Sequence, residues 1–202
     1  MLLRTGRPAG PLRTVPRPTT APLPRPTTDP FPHGADILDY LRAARTTGGP
    51  VLDLGAGSGR FAVPLARQGF DVDAVDRDPA RLARLRTWAR TLPGSHPGMV
   101  TTIRAELAEL TLHRRYGLAM MAGGLILELP EHVRPVLLRE VAAHLTRDGV
   151  LALDWIAPDV PGARSAAPPC DLRGCGLRTL RRARRPLGGG RSSTFLLCGR
   201  RD

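Results

Sequence analysis

Lysine and asparagine are both absent from this chain of 202 residues, so all 30 of its basic side chains are arginine. Arginine, alanine, glycine and proline in such excess are the mark of GC-rich coding, and arginine in place of lysine carries no chemical message by that fact alone. Aromatic residues make up only 4%, which leaves few rings to stack nucleic-acid bases and hands the core to Leu, Val and Ala. Cysteine occurs three times, as Cys170, Cys175 and Cys198, an odd number without a CxxC pair, so neither a disulfide framework nor a metal site is expected. No apolar run approaches the roughly 20 residues that cross a bilayer. The apolar run at the N-terminus is too short for a secretory signal. The expected compartment is the cytoplasm, with no membrane partner.

The formal charge of +12 looks like a nucleic-acid signal until it is divided along the chain. Residues 1–30 carry +4, residues 31–156 carry +1, and residues 157–202 carry +7. The middle is balanced, and the basicity sits at the two ends. With few rings to accompany it, this favours solubilising ends over a nucleic-acid surface.

Residues 1–32 are dense in Pro, Thr and Arg, with "PRPTT" occurring twice. Proline fixes φ and removes donors, so a disordered segment is expected there, followed by one folded domain over 33–202. From Ala35 the pattern changes. Ile37, Leu38, Leu41 and Ala44 fall at helical spacing, ending before Gly48–Gly49. A strand over Val51–Leu54, a helix over Arg60–Gln68 and a strand over Asp71–Val75 follow. Asp78-Pro79 then forms a cap and first helical position, with Leu82, Leu85 and Trp88 on one face. Further strands are predicted at Thr101–Arg104, Leu118–Ala122 and Val150–Trp155. A helix from about Glu131 to Leu145 and an "RDG" turn precede the last of these. This alternation predicts a doubly wound, mostly parallel α/β sheet with helices on both faces. "LRTLRRA" and "SSTFLLCG", on either side of Gly188–Gly190, predict a C-terminal antiparallel hairpin at the sheet edge.

The stretch "VLDLGAGSGR" places Gly55, Gly57 and Gly59 directly after the first strand. Glycines there let the backbone turn sharply and approach a ligand closely. The pattern is D-x-G-x-G-x-G, and the third glycine of a dinucleotide GxGxxG is Arg60 here, which counts against a nicotinamide oxidoreductase. Asp76, at the tip of the second strand, is placed to accept two hydrogen bonds from a ribose diol. Asp53 sits beside the loop, either ordering its backbone or accepting from a ligand ammonium.

"VLDLGAGSGR", "VDAVDRDPARLARLR", "TTIRAELAEL" and "HLTRDGVLALD" together resemble the successive motifs of class I, Rossmann-like S-adenosylmethionine-dependent methyltransferases, across Asp36 to Trp155. The resemblance implies a seven-stranded sheet with an antiparallel final strand and S-adenosyl-L-methionine as cofactor. It implies a binding set of Asp53, Gly55, Ala56, Gly57 and Gly59 around the methionine part, and Asp76 with Arg77 at the ribose. Glu106 and Leu107 would flank adenine, where families more often have Asp in place of Glu106. Met121 and Ala122 would line the sulfonium side. Gly117 stands where the family commonly has an Asp before strand four.

The implied reaction is methyl transfer to a small-molecule or modified-peptide acceptor, as in natural-product or peptide tailoring. It needs a base only where the acceptor must lose a proton. Glu128 and His132, after the fourth strand, are the candidates for that base. Asp154 is a further possibility of similar weight. A nucleic-acid methyltransferase and a non-catalytic cofactor-binding protein remain alternatives.

Overall fold

The computed structural model describes residues 37–92, 98–158 and 170–201. The segment 1–32 and His33 lie outside them. Seven strands form one sheet: β1 (Val51–Leu54), β2 (Val72–Asp76), β3 (Val100–Arg104), β4 (Tyr116–Met121), β5 (Leu145–Pro158), β6 (Leu177–Gly188) and β7 (Arg191–Arg200). Their order is β3-β2-β1-β4-β5-β7-β6. β1 to β5 run parallel, and β7 lies antiparallel between β5 and β6. The doubly wound, seven-stranded sheet and its terminal hairpin are as the sequence predicts.

Every residue of β1, β2 and β4 is buried, as befits strands covered on both faces. Alternate side chains feed two separate cores. Val51 joins the core with α1 (Ile37–Thr47), α2 (Ala62–Arg67) and α3 (Pro79–Ala89). Leu52 and Leu54 join the other, with Ile126 of the short helix α4 (Leu125–Glu128) and with α5 (Val133–Ala143). Among the described residues no helix is long and apolar enough to cross a membrane.

Several local expectations are corrected. The buried side of α1 is Asp39, Tyr40, Ala43 and Ala44, while Leu38 is exposed and Ile37 and Leu41 are half-buried. The Tyr40 ring turns the helix inward, packing edge-on against Phe61 and Phe195 at centroid distances of 4.9 and 5.2 Å. In α3, Leu82 and Leu85 are buried but Trp88 is exposed. Each three-residue step falls about 60° short of a full helical turn, so the second step carries Trp88 off the buried stripe. Asp78 caps α3 as expected, accepting from the N–H groups of Ala80 and Arg81 at 2.8 and 3.3 Å.

The "RDG" turn lies within β5. Tyr116 pairs with Leu145 and Leu118 with Val150, so the intervening residues bulge out of register. Gly149 permits this, because a Cβ there would stand 2.6 Å from the Tyr116 carbonyl oxygen. Helix α5 accordingly ends at Ala143 instead of Leu145. Helix α4, four residues long, is too short to show a helical period in the sequence.

Candidate active site

Strand register defines the site. Leu54 pairs with Val75 on one side and Met121 on the other, and Met121 pairs with Leu153. The next residue on each strand is therefore Asp76, Gly55, Ala122 and Asp154, a row across the carboxyl ends of β2, β1, β4 and β5. The sheet order reverses between β1 and β4, the place where open α/β sheets bind ligands.

The glycine loop is tied to β2. The N–H groups of Gly55 and Ala56 donate to the Val75 carbonyl at 2.8 and 2.9 Å. Gly57 N–H donates to Asp76 Oδ2 at 2.8 Å, and Asp78 N–H to Asp76 Oδ1 at 2.8 Å. Asp76 is buried. A carboxylate oxygen accepts more than one hydrogen bond, so this residue can hold the loop and still accept from a diol.

The three glycines have positive φ of +71°, +55° and +94°, each for a different neighbourhood. A Cβ on Gly55 would stand 2.8 Å from Leu125 Cδ2, so α4 presses on the loop. One on Gly59 would stand 2.8 Å from Leu85 Cγ and 2.9 Å from Val63 Cγ2, so that glycine serves helix packing. At Gly57 nothing lies closer than the Gly55 carbonyl, at 4.0 Å. Of the three, Gly57 is the one that borders open space.

Asp53 is buried beneath the loop, and its Oδ2 has no hydrogen-bond partner among the described residues. Burial pushes its carboxyl up to about 7; the Ala62 backbone N–H opposes the shift and the Asp76 charge adds to it. A buried acceptor without a partner is costly. Together with the lone pairs left on Asp76 and the bare backbone at Gly57, it fits a ligand bearing an ammonium and a ribose.

Ala105 N–H donates to the Asp76 carbonyl at 3.3 Å, bringing the turn after β3 to the β2 tip. There Glu106 is exposed and Leu107 half-buried against the α5-side core. Arg77 is exposed, Met121 is buried, and Ala122 is half-buried beside the α1-side core. Glu128 and His132 are both exposed, at the end of α4 and just before α5. His132 takes the cap position of α5 without a side-chain capping bond. Gly117 lies inside β4, and a Cβ on it would stand 2.3 Å from the Gly48 carbonyl oxygen, so close packing explains the missing carboxylate.

Two features were hard to see in the sequence. The Tyr40 hydroxyl donates to Asp154 Oδ1, both residues being buried. The same oxygen accepts from Gly123 N–H at 3.0 Å, and the Asp154 carbonyl accepts from Gly124 N–H at 3.1 Å. A tyrosine interrupting an apolar helix face was the signal available for this contact.

A methyltransferase-domain family matches residues 51–149. Residues 51–149 thus carry the sequence pattern of a methyltransferase domain. The fold agrees. In fold the chain is similar to the glycopeptide N-methyltransferase MtfA complexed with S-adenosyl-L-methionine (TM-score 0.65, 21% identity, 87% of this chain and 100% of that one). It is also similar to the CcbJ methyltransferase from Streptomyces caelestis (TM-score 0.66, 18% identity, 83% and 90%). In sequence it matches ribosomal RNA small subunit methyltransferase A of Anaeromyxobacter dehalogenans, 33% identical over 138 residues, which is 63% of this chain and 44% of that protein. The chain thus spans under half the length of the curated relatives it matches.

Proposed function

We propose that this chain, with residues 33–202 as its domain, transfers a methyl group from S-adenosyl-L-methionine to a nitrogen or oxygen of a small molecule or modified peptide. The observation that carries this reading is the loop of Gly55 to Gly59 clasped by Asp76 above the partnerless Asp53 oxygen. In this reading Asp76 holds the ribose, Asp53 faces the ammonium, and Glu106 and Leu107 border the base. Met121 and Ala122 border the methyl-bearing end. When bound, the cofactor supplies an electrophilic methyl carbon on a sulfonium sulfur. The chain orients the two partners and excludes water, which can account for several kcal/mol of barrier lowering. The likeness in fold to the glycopeptide N-methyltransferase MtfA supports the acceptor class. Isothermal titration with S-adenosylhomocysteine tests it: saturable one-site binding is expected, and none overturns the reading.

A second reading, RNA as acceptor, is favoured by the edge strand β6. There Arg178, Arg181 and Arg182 are exposed, while Arg184 donates to Ser192 and Arg185 pairs with buried Asp39 at 2.7 Å, and the sequence relatives include rRNA methyltransferases. Phosphate contacts by such a strand would make binding fall steeply with salt. Electrophoretic shifts of a structured RNA at two salt concentrations decide it, and the absence of a salt-sensitive shift removes RNA.

A further inference from the structure

This inference rests on the methyl-transfer reading and narrows its acceptor. We propose that Asp154 is the positioning carboxylate on the acceptor side of the site, and that it selects an amine nitrogen over a hydroxyl oxygen. The row of strand-end residues places two buried carboxylates on opposite sides of Gly55: Asp76 one strand away and Asp154 two strands away. Adjacent strands lie about 4.8 Å apart, so Asp154 sits about 10 Å from Gly55 and about 5 Å from Ala122. Asp154 is the strand-end neighbour of Ala122, which the methyl-transfer reading places beside the methyl-bearing sulfur.

Contacts to its side chain and to its backbone hold it there. Tyr40 of α1 and the Gly123 N–H both donate to Oδ1, and the Asp154 carbonyl takes the Gly124 N–H. Gly123 and Gly124 have φ of +71° and +80°, and a Cβ on either would meet nothing within 4 Å. The backbone of this turn therefore borders open space at the tip of β4. The next residue, Leu125, is the one that lies against Gly55. The Asp154 side chain thus holds Gly123, and its backbone carbonyl holds Gly124 at the start of α4, whose Leu125 lies against the glycine loop.

The charge supplies the selection. A neutral amine's lone pair forms the new N–C bond as the C–S bond breaks, the C–S electron pair going to sulfur. Nitrogen becomes cationic and its extra proton then passes to solvent. A carboxylate nearby stabilises that growing positive charge. A hydroxyl acceptor must shed its proton and approach as an anion, which the same carboxylate repels. Asp154 is buried, so it acts through the turn and through its field instead of by touching the acceptor.

Two binding probes test this by titration calorimetry on the full chain: S-adenosylhomocysteine, which is uncharged at sulfur, and sinefungin, which carries an ammonium at the position of the transferred methyl. Wild type is expected to bind sinefungin about fivefold or more tighter than S-adenosylhomocysteine, and equal or weaker binding overturns the proposal. Asp154→Asn keeps the shape and the acceptor oxygen but removes the charge. It is expected to weaken sinefungin about fivefold or more while leaving S-adenosylhomocysteine within about twofold. Equal losses for both probes, or none for either, overturn it. If Asp154→Asn does not fold, the wild-type comparison still decides. Failure of wild type to bind S-adenosylhomocysteine removes the methyl-transfer reading itself, and this proposal with it.

Discussion

Gly57 donates its backbone N–H to Asp76 Oδ2 at 2.8 Å across 19 residues of sequence, fastening the turn after β1 to the tip of β2. The other oxygen is held by Asp78 N–H at 2.8 Å, so one carboxylate shapes the loop and also starts the approach to α3. Replacing Asp76 by Ala removes both acceptors and the group proposed to grip the ribose. Affinity for S-adenosylhomocysteine is expected to fall about tenfold or more, the equivalent of a charged hydrogen bond or two. Unchanged affinity by calorimetry excludes the ribose role.

The buried carboxyl of Asp53 makes stability depend on pH. Its ordinary value is 3.8, and burial raises it to about 7 in the folded chain. Between these values the unfolded chain has released the proton and the folded chain keeps it. This group's contribution is therefore full below about pH 4 and lost as pH rises through about 7, at about 1.4 kcal/mol per pH unit. Asp53→Asn removes that dependence. In urea melts the variant's stability relative to wild type is expected to improve from pH 5 to pH 8; a constant difference contradicts the shift.

Gly59 is predicted to be needed for folding more than for binding. Alanine there would take a φ of +94° and place its Cβ 2.8 Å from Leu85 Cγ. Strain and crowding together should cost about 2–4 kcal/mol, seen as a lower urea midpoint. Gly57→Ala has room for its Cβ at φ +55°, so it should cost less in stability than Gly59→Ala and more in cofactor affinity. The reverse ranking would show that the two glycines have been assigned the wrong neighbours.

Tyr40→Phe deletes one hydroxyl while keeping the ring between Phe61 and Phe195. Asp154 then loses a donor inside the core, at a cost of about 1–3 kcal/mol. Amide exchange at Gly123 should quicken as well, because its acceptor is less firmly held. A melt within error of wild type would mean that the hydroxyl contributes nothing to the fold.

The sheet was legible because its signals are local. A fully covered strand such as Val51–Leu54 is apolar throughout, and the Asp78-Pro79 cap needs only its own neighbours. The glycines after β1 and the carboxylate at the tip of β2 could be read the same way. Burial along α1 departs from its apolar spacing, since Tyr40 turns inward to partners 21, 114 and 155 residues away. The bulge at Thr146–Gly149 leaves no distinct sequence signal, because "RDG" has turn chemistry whether it ends a strand or interrupts one.

Residue order alone set the alternation of strands and helices, and with it the crossing point where Gly55 and Asp76 meet, since both follow from short-range periodicity and turn chemistry. Which glycine borders open space and which a helix, and how Tyr40 reaches Asp154, were decided only by the packing of distant segments. Sequence position carries no record of such distances, because a hydrogen bond or a Cβ clash acts over a few ångströms of space while its partners lie many residues apart along the chain.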